Sequence, residues 1–187
     1  MDDLDGLVAD AVSGDPLAAA ALVRATQSDV WRLCAALGDP GTADDLTQET
    51  YLRAFGSLHR FAGRSSVRTW LLSIARRVCA DAVRARRRRR ALVLVRDDAA
   101  LEEVAAGGTD PVGEDVGVHD LLARLDPDRR EAFVLTQLLG LSYAEAAEVS
   151  GCPVGTIRSR VARGRADLVA ALTPAGDGDA EDDVAHR

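Results

Sequence analysis

The chain has 187 residues, a net charge of −7 and 47% hydrophobic content, enough for one ordinary domain or two small ones. No run of eighteen apolar residues occurs and the opening Met1-Asp2-Asp3-Leu4-Asp5 is acidic, which argues against a membrane span and a secretory leader and for a cytoplasmic protein. Cys34, Cys79 and Cys152 are far apart, in apolar settings and without ligand-spaced histidines, so they read as small core residues, and no disulfide framework, metal site or cofactor is expected.

Helical periodicity runs throughout and no segment alternates like a strand, which predicts an all-α fold. Asp15-Pro16 pairs an N-cap with a proline at the first helical position and opens a helix to about Leu37, with Leu22, Val30, Trp31, Leu33, Cys34 and Leu37 as its apolar marks. Gly38-Asp39-Pro40-Gly41 stops it, and Thr42 or a neighbour starts the next helix, through to about Leu58. A loop from His59 to Val67 leads to a long helix from Arg68 to about Arg90. Residues 97–118 are acidic and glycine-bearing and read as a flexible linker. Order resumes near His119, and Asp126-Pro127 opens a helix to about Leu139 that buries Phe133, Leu135, Leu138 and Leu139. Two short helices follow, then an acidic tail over residues 173–187. The expected architecture is two small helical domains, 1–96 and 119–172, on an acidic flexible linker.

Charge is segregated along this plan. Residues 64–96 hold eleven arginines against Asp81, whereas residues 97–120 hold eight acids and no arginine. Every basic residue is arginine, which suits phosphate contacts. In the last third, Ser142 and Glu145 form a capping-box pattern, Ser150-Gly151-Cys152-Pro153 is a turn, and Val154 begins a second helix. On that helix Ile157, Val161, Gly164 and Leu168 share the packing face. Thr156, Ser159 and Arg163 lie opposite, flanked by Arg158 and Arg160, a pattern that suits a helix set in a major groove. This is a helix-turn-helix, with Thr156, Ser159 and Arg163 expected at base edges and Arg158 and Arg160 at the backbone.

Leu138-Leu139-Gly140-Leu141-Ser142-Tyr143 through Gly155-Thr156-Ile157-Arg158-Ser159-Arg160 resembles region 4 of the extracytoplasmic-function (ECF) sigma factors of bacterial RNA polymerase. Asp44-Asp45-Leu46-Thr47-Gln48-Glu49 is similar to region 2.2 of that family, and Arg68-Thr69-Trp70-Leu71-Leu72-Ser73-Ile74-Ala75-Arg76 to regions 2.3 to 2.4. These motifs are especially similar to those of the actinobacterial sigma C type. The resemblance covers nearly the whole chain apart from linker and tail, with the motifs in the right order.

The resemblance implies a non-catalytic promoter-specificity subunit that binds core RNA polymerase, through the β′ coiled coil at region 2 and the β flap at region 4, together with promoter DNA. A separate anti-sigma protein is a further possible partner. Asp45, Gln48, Glu49 and Leu52 form one helical stripe, which the family docks on β′; read alone it is equally an acidic solvated face. Ser73, Arg76, Arg84 and Arg87, with Arg77 beside them, lie opposite the apolar Leu71, Ile74, Val78 and Ala82 and are expected along the −10 element. Asp81 is expected to orient Arg77 and Arg84 by ion pairing. The loop from Phe61 to Arg68, including Arg64, Ser65 and Ser66, with Trp70 nearby, matches the loop that captures a flipped base. Arg86 to Arg90 serve either as diffuse charge or as specific contacts, and the linker acids either mimic nucleic acid in the polymerase cleft or simply solubilise. A stand-alone dimeric helix-turn-helix regulator is the rival reading; it leaves the first basic helix and its aromatic cluster without a task. An independent enzyme is disfavoured, because His59, His119 and His186 are isolated and no nucleophile has a visible base.

Overall fold

The computed structural model describes residues 4–96 and 115–173. All regular elements in these residues are helical: α1 (Leu4–Val12), α2 (Pro16–Leu37), α3 (Ala43–Ser57), α4 (Val67–Arg96), α5 (Asp115–Ala123), α6 (Pro127–Phe133), α7 (Tyr143–Ser150) and α8 (Val154–Leu172). Short 3-10 turns occupy Pro40–Thr42 and Leu58–Arg60, and a π-helical turn spans Val134–Leu138. The all-α expectation holds. Helix α1 was not foreseen, α4 runs six residues past Arg90, and α5 begins at Asp115 rather than near His119. The remainder of the expected linker, and the tail beyond Thr173, lie outside the described residues.

Local chemistry accounts for the helix ends. Asp15 Oδ1 accepts the Leu17 N–H at 2.8 Å, with Pro16 in the first position where its missing N–H costs nothing. At the other end of α2 a Cβ on Gly38 would lie 2.7 Å from the Cys34 carbonyl oxygen, so this stop admits no side chain. Thr42 does not cap α3; its hydroxyl donates back to the Asp39 carbonyl at 3.0 Å. Ser66 caps α4, which begins at Val67, one residue before the expected Arg68; its hydroxyl accepts the Thr69 N–H at 3.1 Å. Asp126 Oδ1 accepts the Asp128 N–H at 3.0 Å and opens α6 as expected. The π turn that follows, closed by Leu139 N–H to Val134 O at 3.0 Å, rotates the helix face. Val134 and Leu135 therefore point fully inward, whereas Leu138, expected in the core, is 38% exposed and Phe133 is half-buried.

Helices α1 to α4 pack around α2, and α6 to α8 pack around the α6–α8 contact. On α2 the buried set is Ala18, Leu22, Thr26, Val30, Leu33, Cys34 and Ala36; Trp31, expected among the apolar marks, is exposed instead. The two groups meet, with α4 lying against α7 and α2 touching α6. This explains why α4 buries Leu72, Ala75 and Cys79 in addition to the expected Leu71, Ile74 and Val78: it packs against α2 and α3 and also against α7. The buried side chains of both groups form one continuous apolar cluster. Cys34 and Cys79 are part of it, as expected, and Cys79 is pushed up in pKa by its thiol hydrogen bond with Cys34 and by burial, which keeps it from acting as a thiolate. Cys152 is only half-buried.

Candidate nucleic-acid interface

The α7–turn–α8 unit follows its sequence signals closely. Ser142 and Glu145 form the reciprocal capping box: Glu145 N–H donates to Ser142 Oγ at 3.2 Å and Ser142 N–H to Glu145 Oε2 at 2.9 Å. The Ser142 hydroxyl and then its backbone N–H hold the Glu145 carboxyl below its ordinary value. Gly151 takes φ +66°, the left-handed conformation that ends α7 and turns the chain to Pro153. On α8, Ile157 and Val161 are buried and Gly164 lies 3.6 Å, measured from a built Cβ, from the Arg129 carbonyl of α6. The packing face of α8 is therefore the expected one, with Leu168 half-buried at its far end.

The opposite face divides in a way the sequence did not reveal. Arg158 and Arg163 are exposed and have no ion-pair partner among the described residues, and Ser159 is exposed beside them, its hydroxyl donating to the Thr156 carbonyl at 3.0 Å. Thr156 is half-buried. Arg160 is instead tied to Asp128 of α6 and directs a second guanidinium nitrogen to Cys152 Sγ at 3.8 Å. Further along, Arg165 donates to Gln137 of the π turn at 2.6 Å and Arg129 of α6 to Asp167 at 2.6 Å, so α8 is clamped to both α6 and the π turn. Among the described residues, the guanidiniums of this unit without a partner are those of Arg158 and Arg163.

The second candidate face lies on α4 and the loop before it. Phe61 and Trp70 pack ring against ring, with centroids 5.2 Å apart and planes tilted by 55°, both rings half-buried. Gly63 has φ +65° and Arg64 is exposed, while Ser65 is half-buried. The Ser66 hydroxyl is committed to the α4 cap and to Thr69 Oγ1 at 2.8 Å, and the Ser73 hydroxyl to the Trp70 carbonyl at 2.7 Å. Arg77 and Arg87 are exposed and unpaired among the described residues. Asp81 does orient Arg84, at 2.6 Å, but its other partner is Arg53 of α3 at 2.9 Å rather than Arg77.

Two expected DNA contacts are engaged with the second half of the chain. Arg76 Nε donates to Glu131 of α6 at 2.7 Å, a pair with side chains 31% and 12% exposed. Arg68 Nε donates to Asp29 of α2 at 2.7 Å, and its terminal nitrogen reaches the Leu139 carbonyl at 2.6 Å. Leu139 lies at the end of the π turn, so this arginine satisfies a carbonyl that the helix end leaves without an intrahelical donor. The contact between α4 and the second group of helices thus combines apolar packing on α7 with two charge-assisted hydrogen bonds, to α6 and to the end of the π turn.

The stripe on α3 is solvent-facing. Asp45, Gln48 and Leu52 are exposed and Glu49 is half-exposed, paired with Arg53 at 2.7 Å. Beside it the exposed Trp31 of α2 donates its indole N–H to Asp44 Oδ1 at 2.8 Å, and Phe55 shows a ring edge next to Tyr51. Sequence reasoning missed Trp31, Arg53, Asp29 and Glu131. The Glu49–Arg53 spacing of four residues was a readable signal for one of them; the other partnerships cross between helices and left no local trace. Among the described residues no cluster of histidine, cysteine or acidic side chains could hold a metal ion, and no helix is long and apolar enough to cross a membrane.

Two arginine-bearing faces, one following an aromatic loop and one on the second helix of a helix-turn-helix, mark out a DNA-binding class of protein. The sequence profile of Sigma-70 region 2 matches residues 22–89 and that of Sigma-70, region 4, matches residues 116–168. The chain is 52% identical to the ECF RNA polymerase sigma factor SigC of Mycobacterium tuberculosis over 170 residues, covering 90% of each chain. It is 33% identical to the ECF RNA polymerase sigma-E factor of Haemophilus influenzae over 81% of its own length and 86% of the relative's. Among solved structures, CnrH in complex with the cytosolic domain of CnrY superposes with a TM-score of 0.69 at 31% identity, covering 91% of this chain and 97% of that one. The sigma factor RpoE in complex with the anti-sigma factor NepR from Bartonella quintana gives 0.64 at 27% identity, covering 82% and 96%. The chain belongs to the ECF RNA polymerase sigma factors.

Proposed function

We propose that this chain is a non-catalytic, cytoplasmic specificity subunit that recruits bacterial core RNA polymerase to a defined set of promoters. Residues 1–96 form the unit that binds core and handles the −10 element, 97–118 the acidic linker, 119–172 the unit that reads the −35 element, and 173–187 the tail. The observation that carries this reading is the pair of separate arginine faces, on α4 and α8, in one chain whose two halves match the two sigma-70 regions in order.

The roles of individual residues follow from their exposure and partners. Arg158 and Arg163 are free to meet DNA, with Ser159 and Thr156 between them, while Arg160 acts first as a clamp to Asp128. Arg64, Arg77 and Arg87 supply free charge along the −10 strand, and Phe61 and Trp70 supply the stacking surface that offsets a cost of a few kcal/mol for unstacking a base. Arg76 and Arg68 join them once α4 parts from the second group of helices, which frees them from Glu131 and the Leu139 carbonyl. Core polymerase docks on Asp45, Gln48, Glu49 and Leu52 through its β′ coiled coil, and on the second unit through the β flap. Docking at two separated places favours the parted arrangement. A separate anti-sigma chain is a further partner in this reading.

Two variants test the division of labour. Glu49→Arg is expected to abolish holoenzyme assembly while leaving the DNA contacts of α8 intact. Arg158→Ala with Arg163→Ala is expected to leave assembly intact and to abolish use of the upstream promoter element. Equal loss of both properties in both variants would refute the separation.

A further inference from the structure

Four side chains link the proposed polymerase stripe to the proposed DNA face. Glu49 Oε1 accepts from Arg53 Nε at 2.7 Å, Arg53 donates on to Asp81 Oδ2 at 2.9 Å, and Asp81 Oδ1 accepts from Arg84 at 2.6 Å. Two carboxylates and two guanidiniums alternate, so the quartet is neutral. Glu49, Arg53 and Asp81 are nearly half exposed and Arg84 is 64% exposed, and such pairs are weak and screened, so a competing charge can rearrange them. A second anchor, Arg86 to Asp39 at 2.6 Å, holds α4 to the α2–α3 connection two residues beyond Arg84, so Arg84 can change partner without moving the helix.

We propose that Asp81 withholds Arg84 from DNA in the free chain, and that Arg53 passes the release signal when a cationic group of polymerase takes Glu49. The inference rests on the assignment of Glu49 to the docking stripe and of Arg84 to the DNA face. Arg53 divides its guanidinium between Glu49 and Asp81. With Glu49 occupied, Arg53 keeps a single carboxylate and settles on it through both nitrogens, the geometry that a planar guanidinium and a carboxylate favour. Arg84, the third party at that carboxylate, is displaced into solvent along the DNA face. One cation gained at Glu49 thus frees one guanidinium charge on α4. Hydrogen bonds from Asp81 and Glu49 both hold Arg53 above its ordinary value, in keeping with a guanidinium shared between the two helices. Asp81 and Arg53 are positioning residues, since neither touches DNA or polymerase in this scheme.

The released charge equals about one phosphate contact, which steepens the logarithmic salt dependence of binding by about 0.7 for a single strand and 0.9 for a duplex. The probe is a fluorescein-labelled fork-junction DNA carrying a promoter recovered by run-off transcription, titrated across a salt series with the full chain, with and without core polymerase. Asp10→Asn, an exposed acid of α1, controls for loss of one negative charge. Asp81→Asn is expected to bind the probe three- to tenfold more tightly than Asp10→Asn in the free chain, with a steeper slope that core does not increase through this route. Arg53→Ala is expected to do the opposite: Arg84 stays on Asp81, free-chain binding is not raised, and the slope of its holoenzyme falls short of wild type by about one contact. A mere loss of structure would move both variants the same way. The inference is overturned if Asp81→Asn matches Asp10→Asn, or if both variants show wild-type slopes in the holoenzyme. A wild-type chain that binds neither core nor promoter would overturn the docking and DNA assignments themselves.

Discussion

The Arg76–Glu131 pair offers a direct measure of how strongly the second half covers the α4 face. Glu131→Gln keeps the shape of the side chain and removes its charge. The pair is mostly shielded from water, so its worth lies between that of a charge-assisted buried hydrogen bond and that of an exposed ion pair, about 1–2 kcal/mol. If the closed packing dominates the free chain, apparent affinity for a single-stranded −10 oligonucleotide scales with the fraction parted, so the variant should bind roughly five- to thirtyfold more tightly. Removing any negative charge also helps DNA binding, and Glu148→Gln on α7 controls for this because Glu148 is exposed and unpaired among the described residues. Fluorescence anisotropy at fixed salt compares the two. Equal gains for Glu131→Gln and Glu148→Gln, or a loss for Glu131→Gln, would refute the reasoning.

Three further outcomes are expected. Ser142→Ala removes the capping box and should cost about 1 kcal/mol, lowering Tm by roughly 2–4 °C in a thermal melt. Because Glu145 is held below its ordinary value in the folded chain, its share of stability is present above the unfolded carboxylate pKa and is lost as pH falls through the folded one; the deficit of Ser142→Ala should therefore narrow on acidification. Arg163→Ala should reduce the salt slope of duplex binding by about one and leave Tm unchanged, whereas Arg160→Ala should lower Tm, since it strips Asp128 of its partner. Leu135→Ala, at a fully buried position within the π turn, should cost about 2–5 kcal/mol in denaturant unfolding.

What could be read from the sequence and what could not separates by range. Helix starts at Asp15, Asp126 and Ser142, the glycine turn at Gly151 and the inward face of α8 are set by residues within four positions of one another, and they stand as expected. The candidate site was legible as a set of residue types on helix faces. Which guanidiniums are free was not, because it depends on acids that arrive from other helices: Asp128 for Arg160, Glu131 for Arg76, Asp29 for Arg68 and Arg53 competing at Asp81. The second buried face of α4 was hidden for the same reason, since alanine, leucine and cysteine on a helix also read as an ordinary wide apolar stripe until α7 is placed against them. Leu138 was misplaced by a π turn, whose extra residue leaves no mark in composition. Trp31 shows the opposite failure: a large apolar residue at a helical spacing was counted inward, yet it lies outside beside Asp44.

The central claim is that this chain confers promoter recognition and melting on core polymerase. Purified core, alone and with the full chain, should be incubated with a genomic promoter library, and the run-off transcripts sequenced and mapped, with permanganate used to locate unpaired thymines upstream of each start. Discrete starts preceded by one shared pair of spaced elements, with unpaired thymines in the downstream element only when the chain is present, are the expected result. Transcripts no different from those of core alone, or a palindromic site bound tightly by the chain without core, would contradict it.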